Sequence, residues 1–231
     1  MSRISEIALE FMGRGGKKLR PRLCSAAFSV CGGTGDLGPV CEAIECFHKA
    51  SLIHDDIQDC DETRYGRPTV WKEHGVPAAI AAGDWLVAHG YQLIARSGFA
   101  SAARMLGAVA DSHVNLCEGQ GDDLLEIGAN PFLLGTSADL DVPDYLSTCE
   151  RKTGEAFALA AQLGALAAGA DDAPFRRWGL DFGVLFQIAD DLADGAPVDG
   201  LAGLKADYAA KMAADPLSER LGRIDPVWAC R

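Results

Sequence analysis

Two acidic clusters of the same form are the residues of this chain best suited to chemistry. One reads Asp-Asp-Ile-Gln-Asp at residues 55–59, and the other reads Asp-Asp-Leu-Ala-Asp at residues 190–194. If each segment is helical, its first and last aspartates present their carboxylates on one face. Carboxylates this close repel one another unless a cation lies among them, and Mg²⁺ commonly takes one or two carboxylates together with substrate phosphates. Two such clusters facing each other would hold a metal-bound diphosphate between them.

The apolar residues before each cluster favour metal binding over a solvated acidic helix. One cluster alone would carry little weight in a chain with 33 Asp and Glu among 231 residues. Mainly apolar runs at 50–53 and 184–189 lead into the clusters, however, and unpaired carboxylates on such runs are costly to bury. The predicted metal ligands are Asp55, Asp56, Asp59, Asp190, Asp191 and Asp194.

The bulk composition limits the class of protein. With 231 residues, 48% of them hydrophobic, the chain can bury one substantial core, so a single domain over 1–231 is expected. The net charge of −12 argues against nucleic-acid binding, which needs clustered Lys and Arg. We see no secretory signal, and the longest apolar run, 156–170, is short for a bilayer, so a cytoplasmic protein is expected. The eight cysteines form no Cys-x-x-Cys pair, which favours buried free thiols.

The apolar spacing is helical nearly throughout the chain. Apolar residues recur at steps of three and four, while Gly and Pro mark the breaks. The predicted helical runs are 39–59, 77–95, 100–127, 143–170 and 174–194. No alternating β-type stretch stands out, so the predicted fold class is all-α, a helical bundle with its functional groups in the bundle core.

Basic and polar side chains near the first cluster are suited to an anion. The glycine pair at 15–16 leaves backbone N–H groups open, and Lys17 and Arg20 follow at a predicted helix start. A basic turn without a role is the alternative. His48 lies seven residues before Asp55, on the same helical stripe as Ser51, which favours a site role over a core histidine.

Further candidates follow the first cluster and flank the second. Arg64 is well placed to hold a metal-bound diphosphate, whereas Arg67 is the surface candidate. Lys152 enters an apolar helical run, where it either extends to solvent or contacts a phosphate. Gln187 lies one turn before Asp191, and a buried glutamine needs partners that a cavity would supply.

These segments together resemble the trans-isoprenyl diphosphate synthases of the polyprenyl synthetase family. The resemblance rests on GGKKLRP (15–21), HKASLIHDDIQD (48–59), ETRYGRPTVW (62–71), AAGDWL (81–86), GQGDD (119–123), KTG (152–154) and FQIADDLAD (186–194). It implies an all-α bundle around a central cavity, a homodimer and about three Mg²⁺ ions per site. Asp55, Asp59 and Asp190 would hold the metal, with Asp56, Asp191 and Asp194 as further ligands or support.

The resemblance also implies a reaction and a role for each basic residue. Arg64, Lys152 and Gln187 would support an allylic diphosphate; Gly16, Lys17, Arg20 and His48 would bind isopentenyl diphosphate; Thr153 would guide the carbocation. The allylic diphosphate would ionise, the alkene of isopentenyl diphosphate would attack, and loss of a proton would give a longer all-trans prenyl diphosphate.

The chain departs from the family pattern at three places. Tyr65 stands where a second arginine is usual, and it carries no charge, which predicts weaker binding of isopentenyl diphosphate and a gain from Tyr65→Arg. The usual lysine-bearing glycine loop has no clean match, and Lys205 is a loose candidate for it. The chain is also short at both ends relative to the family. A terpene cyclase, prenyl transfer to another acceptor and a regulatory subunit of a partner synthase stay open as alternatives.

Residues before the first cluster are expected to set product length. Ala50 and Ser51 are small and would not block a growing chain, whereas Phe47 and Trp85 could form its floor; ordinary core filling is the alternative for both rings. The expectation is a product near geranylgeranyl length. Phe47→Ala should lengthen the product and Ala50→Phe should shorten it.

Overall fold

The structure is a computed structural model that describes residues 2–128, 142–195 and 200–229. Eleven α-helices lie in these ranges, and they are joined by a two-residue strand pair, a π-helical segment and a final 3₁₀ turn. The all-α prediction is therefore confirmed. None of the described helices is long and apolar enough to cross a membrane.

The helices have the following bounds in chain order. They are α1 (Arg3–Met12), α2 (Leu19–Val30), α3 (Gly38–Gln58), α4 (Val70–His74), α5 (Val76–Ala95), α6 (Ala102–Gly128), α7 (Val142–Cys149), α8 (Glu155–Ala167), α9 (Ala173–Asp194), α10 (Leu201–Ala214) and α11 (Pro216–Ile224). Strands β1 (Thr63–Arg64) and β2 (Arg67–Pro68) pair antiparallel, and Pro226–Trp228 forms the 3₁₀ turn.

The chain forms two compact units. The first comprises Met1–Arg22 and Gly35–Leu106, and the second comprises Leu23–Thr34 and Gly107–Arg231. The single domain over 1–231 stays a prediction.

In the first unit, α3 and α5 pack closely because glycines face large rings. A Cβ at Gly83 would lie 2.2 Å from the ring of His54, and one at Gly90 would lie 2.4 Å from the ring of Phe47. Real Cβ atoms do not come this near, so only glycine lets the helices approach so far. The core of the unit contains Ala8, Phe11, Cys46, Ala50, Ile53, Val70, Ala79, Ala82 and Leu86.

The strand pair β1–β2 encloses a tight turn that the sequence pattern did not reveal. Tyr65 and Gly66 both have positive φ, at 54° and 72°. Two such residues in a two-residue loop make the hairpin turn that matches the twist of the strands. Glycine adopts this backbone freely, whereas it is uncommon for tyrosine, so the turn fixes an unusual placement of the Tyr65 ring.

In the second unit, the run predicted at 143–170 is interrupted. A π-helical segment, Glu150–Gly154, lies between α7 and α8 and carries Lys152 and Thr153. A Cβ at Gly183 of α9 would lie 2.6 Å from the Cα of Gly154, so α9 packs directly on this segment. Single π-helical turns occur often at functional sites. The segment between the predicted helical runs 100–127 and 143–170 lies almost wholly outside the described residues.

The prediction of buried thiols is only partly correct. Cys24, Cys46 and Cys149 are buried and free, and Cys31 and Cys41 are partly buried. Cys60 and Cys117 are exposed, because Cys60 follows the end of α3 and Cys117 lies on a solvent-facing side of α6.

Candidate functional site

The first acidic cluster stands at the C-terminal end of α3, and its three carboxylates have different surroundings. Asp59 caps the helix and is exposed, Asp55 is half-buried, and Asp56 is fully buried. The Asp56 carboxylate accepts a hydrogen bond of 2.5 Å from Arg64 Nε. Burial raises the pKa of Asp56, while the bond to Arg64 opposes that rise. Asp56 therefore faces the protein, and Arg64, predicted to hold a diphosphate, is bound to it and lies 3.6 Å from Asp61.

The second cluster lies entirely in the last turns of α9. Asp190 and Asp194 are exposed, whereas Asp191 is half-buried. Gln187 Nε2 donates to Asp191 Oδ1 over 2.8 Å, and Thr153 Oγ1 donates to Gln187 Oε1 over 2.6 Å. The structure thus joins three residues that the sequence singled out separately into one chain of hydrogen bonds.

Tyr145 completes this chain, and sequence reasoning missed it. Its hydroxyl donates to Asp191 Oδ2 over 2.5 Å from α7, and the residue is 7% exposed. Burial, and then the hydrogen bond to Asp191, raise the pKa of Tyr145, so the phenol stays protonated and donating. Both oxygens of Asp191 are therefore held by protein groups. No local pattern marks Tyr145, because its partner is distant in sequence.

The open carboxylates suit Mg²⁺. None of the hydrogen bonds or ion pairs found among the described residues involves the side chain of Asp59, Asp190 or Asp194. No three His, Cys, Asp or Glu side chains of the described ranges converge into a ready-made metal cage. Mg²⁺ usually keeps several waters and takes one or two carboxylates with substrate phosphates, so open aspartate oxygens are a fitting donor set.

A second group of polar residues surrounds the glycine pair at 15–16 in the first unit. Gly16 has a φ of 108°, and Lys17 is exposed just before α2. Arg20, in the first turn of α2, has its Nη1 3.4 Å from His48 Nε2 of α3. Two residues predicted to bind the same diphosphate thus lie together.

The charge states of this pair favour anion binding. Burial first, and then Arg20, Lys49 and Arg64, lower the pKa of His48 to about 3, so the ring is neutral and accepts the bond from Arg20 at Nε2. Burial lowers the pKa of Arg20 to about 10, which leaves the guanidinium charged at neutral pH. A charged guanidinium beside a neutral imidazole is an arrangement suited to an anion, and the binding of a diphosphate here stays a prediction.

Lys49 is a further polar residue here that sequence reasoning missed. It is fully buried, and its ammonium donates to the carbonyl oxygens of Arg14 and Gly15, the latter over 3.1 Å. The ammonium also lies 4.4 Å from the centre of the Tyr65 ring. The sequence carries one signal, a lysine beside His48 within an apolar helical run.

The remaining predicted residues lie in different settings. Lys152 is half-buried in the π-helical segment, and Arg67 is a surface residue whose Nη1 lies 2.6 Å from Glu10. Lys205 is exposed and lies within α10 rather than in a glycine loop, and its binding role stays a prediction.

Three of the predicted chain-length residues lie on α3, and the fourth, Trp85, lies on α5. Ser51 is exposed, and Phe47, one turn before it, packs its ring edge-on to Tyr91 at 5.5 Å. Ala50 is 1% exposed within the first unit's core, so a phenylalanine there would also overpack the core. The expected shortening of the product by Ala50→Phe stays a prediction. Trp85 stacks on His89 at 4.7 Å. Ser51 and Phe47 are the better candidates.

Comparison with known proteins gives consistent matches. The family model described as polyprenyl synthetase matches residues 1–198. The geranylgeranyl diphosphate synthase of Mycobacterium tuberculosis is 39% identical over 187 residues, which are 78% of this chain and 51% of the relative. The short chain isoprenyl diphosphate synthase of Methanothermobacter thermautotrophicus is 38% identical over 185 residues, 78% of this chain and 54% of the relative. The chain therefore spans about half the length of these curated relatives.

Solved structures match as well. The structure of an isoprenoid synthase family member from Thermotoga neapolitana superposes with a TM-score of 0.83 at 26% identity, covering 97% of this chain and 89% of that one. Geranylgeranyl pyrophosphate synthetase from Pyrococcus horikoshii gives a TM-score of 0.73 at 33% identity, covering 84% of this chain and 62% of that one.

Proposed function

Because this chain belongs to the polyprenyl synthetase family, we propose that it is a Mg²⁺-dependent prenyltransferase. It condenses an allylic diphosphate head to tail with isopentenyl diphosphate and forms a longer all-trans prenyl diphosphate. The observation that supports elongation best is the Arg20–His48 pair beside the glycine pair at 15–16. An enzyme that only ionises one allylic diphosphate has no need of a second anion site apart from its acidic clusters.

The acidic clusters supply the metal ligands in this proposal. Asp55 and Asp59 of the first cluster and Asp190 and Asp194 of the second offer carboxylate oxygens, about three Mg²⁺ ions being expected. When bound, Mg²⁺ neutralises the charge that develops on a departing diphosphate. Asp56 and Asp191 support the clusters through their bonds to Arg64, Tyr145 and Gln187.

The chain's own residues perform the remaining steps. Lys152, Arg64 and Gln187 bind the allylic diphosphate, so its C–O bond breaks with the electron pair leaving on the diphosphate. Exclusion of water keeps the allylic cation from being quenched. The alkene of isopentenyl diphosphate then attacks the allylic cation, and Thr153 helps to orient that cation. The released diphosphate accepts the proton that is lost.

Product length, assembly and location complete the proposal. We propose a product near geranylgeranyl length, since Ser51 is small and Phe47 lies one turn deeper on α3. Two curated relatives are named geranylgeranyl diphosphate synthase and geranylfarnesyl diphosphate synthase, which is consistent with a product longer than farnesyl. A homodimer in the cytoplasm is proposed on the family resemblance.

One assay tests the reaction. The protein is incubated with farnesyl diphosphate and Mg²⁺, with and without isopentenyl diphosphate, and the products are identified by mass. The proposal expects a product one isoprene unit longer only when isopentenyl diphosphate is present, and none from Asp190→Ala. A hydrocarbon formed without isopentenyl diphosphate would indicate a cyclase, an adduct formed only with another acceptor would indicate a different transferase, and no turnover would indicate a regulatory subunit.

A further inference from the structure

Lys49 is a buried cation that the proposed reaction does not yet use. Its side chain has no exposed surface and lies 5.4 Å from the Phe11 ring as well as over Tyr65. None of the ion pairs found in the described ranges involves Lys49. Burial lowers the pKa of Lys49, as do Lys18, Arg64 and Arg14, whereas Glu45, one turn before it, acts to raise that pKa. Burying an ammonium that makes no direct ion pair is costly, even with Glu45 one turn away, so the two carbonyl contacts of Lys49 must compensate for that cost.

The contacts of Lys49 orient the loop at residues 14–16. In a trans peptide the C=O of one residue and the N–H of the next point in opposite directions. Because the carbonyls of Arg14 and Gly15 point to the ammonium, the N–H groups of Gly15 and Gly16 point away from it, on the exposed side of the loop. Successive N–H groups turned outward make an anion-binding concavity.

The phenol of Tyr65 lies at the same loop. A Cβ at Gly16 would lie 3.7 Å from Tyr65 Oη and 3.8 Å from Lys49 Nζ, and one at Gly15 would lie 2.8 Å from Tyr65 Cδ1. The ring is thus packed between the loop and the ammonium, and its hydroxyl stands beside Gly16. Burial raises the pKa of Tyr65, so this hydroxyl is a neutral donor at physiological pH.

We propose that Lys49 is a positioning residue for the isopentenyl diphosphate, and that it supplies from beneath the loop the positive charge that Tyr65 lacks. This inference rests on the proposed function. Lys49 holds the loop by two carbonyls so that the amides of Gly15 and Gly16, with Lys17, face the diphosphate. Tyr65 covers the ammonium by a cation–π contact and offers its hydroxyl to the same anion.

The inference reverses an expectation that the sequence alone suggested. Without Lys49, Tyr65→Arg restores a missing charge and strengthens binding of isopentenyl diphosphate. With Lys49 beneath the ring, Tyr65→Arg places a guanidinium next to an ammonium, removes the cation–π contact and requires positive φ of an arginine. Like charges in contact repel, so the single substitution weakens binding.

A double-mutant cycle on the full chain tests this. We expect Lys49→Gln to raise the KM for isopentenyl diphosphate about tenfold, the loss of one charge-assisted interaction, while the KM for farnesyl diphosphate changes less than about twofold. Tyr65→Arg alone should also raise the KM for isopentenyl diphosphate. Lys49→Gln combined with Tyr65→Arg should recover most of the loss, because the charge is then supplied from position 65. Lys72→Gln is the matched control, since Lys72 lies over Trp71 at 5.6 Å but is exposed.

The outcomes separate the inference from the proposed function. If the wild type consumes no isopentenyl diphosphate, the proposed function is wrong and the inference falls with it. If it does, equal rises of both KM values in Lys49→Gln, or no rise, overturn the inference alone. Thermal unfolding checks that Lys49→Gln is folded. Should it not fold, Tyr65→Arg decides, because a lowered KM for isopentenyl diphosphate in that variant contradicts the role of Lys49.

Discussion

Within the Asp56–Arg64 pair, replacing Arg64 should destabilise the fold more than replacing Asp56. The Asp56 side chain is 1% exposed and the Arg64 side chain 24%. Arg64 also lies 3.6 Å from Asp61, whereas the other carboxylate oxygen of Asp56, Oδ2, has no hydrogen-bond partner among the described residues. Arg64→Met therefore leaves the buried Asp56 carboxylate without its cation. Asp56→Asn, in contrast, leaves Arg64 with the asparagine carbonyl oxygen as an acceptor and with Asp61 as a neighbouring acid.

The magnitude follows from this difference. Breaking a buried ion pair by removing one partner costs about 3–5 kcal/mol when a buried charge is left behind, and Arg64→Met meets that condition. Asp56→Asn keeps a carbonyl oxygen in place of Oδ1, so it loses only the charge assistance, about 1–2 kcal/mol. We expect Arg64→Met to be the more destabilising change by about 2 kcal/mol.

The assay is denaturant unfolding at several pH values. In Arg64→Met the folded-state pKa of Asp56 rises further above its unfolded value, because burial then acts unopposed. The extra destabilisation is therefore present at neutral pH and is relieved as the pH falls through the folded pKa and the carboxyl takes up a proton. Equal costs for the two variants, or a cost of Arg64→Met that does not change with pH, would refute the reasoning.

Three further predictions concern metal, pH and product length. Asp55→Ala should abolish turnover, as should chelation of Mg²⁺, while the exposed control Asp207→Ala should keep full activity; activity in chelator would contradict the metal assignment. His48 is neutral when folded, with a pKa of about 3 against 6.5 unfolded, so its contribution to stability is present above pH 6.5 and is lost as the pH falls towards 3. Between pH 7 and pH 5, the free energy of unfolding of the wild type should thus fall by up to about 2 kcal/mol more than that of His48→Gln. Parallel pH profiles of the two free energies would contradict this. Ser51→Phe should shorten the product and Phe47→Ala should lengthen it, as measured by mass; unchanged products would place the growing chain elsewhere.

The helices could be predicted from the sequence where proline and glycine mark their ends. α3, α5 and α9 each have proline in the first turn, and their predicted bounds agree with the structure within about one residue. The π-helical segment at Glu150–Gly154 could not be predicted, because apolar spacing does not distinguish an i→i+5 bond within an otherwise helical run.

The candidate site was predictable where chemistry depends on residue type, and not where it depends on burial. The aspartates were found from their spacing, its occurrence twice, and the apolar runs that precede both clusters. Ala50 and Ser51 are adjacent and both small, but they lie about 100° apart around the helix, so Ala50 contacts the core and Ser51 does not. The helical spacing of Ala50 from the apolar residues Cys46 and Ile53 could have shown that Ala50 faces the core. Tyr145 and Lys49 were missed because their partners are distant in sequence.

In both acidic clusters the second aspartate has a structural role that differs from that of the aspartates on either side of it. In each, the second aspartate is held by the protein, Asp56 by Arg64 and Asp191 by Tyr145 and Gln187. The Arg64 guanidinium neutralises Asp56, whereas Tyr145 and Gln187 are uncharged donors that stabilise the charge of Asp191 without removing it. In both clusters these bonds fix the orientation of the second carboxylate. The carboxylates of Asp59, Asp190 and Asp194 make none of the hydrogen bonds or ion pairs found among the described residues, so they can accept a cation at a lower electrostatic cost. The Asp-Asp-x-x-Asp spacing thus combines one carboxylate held by protein groups with others suited to a hydrated Mg²⁺ ion that also takes substrate phosphates.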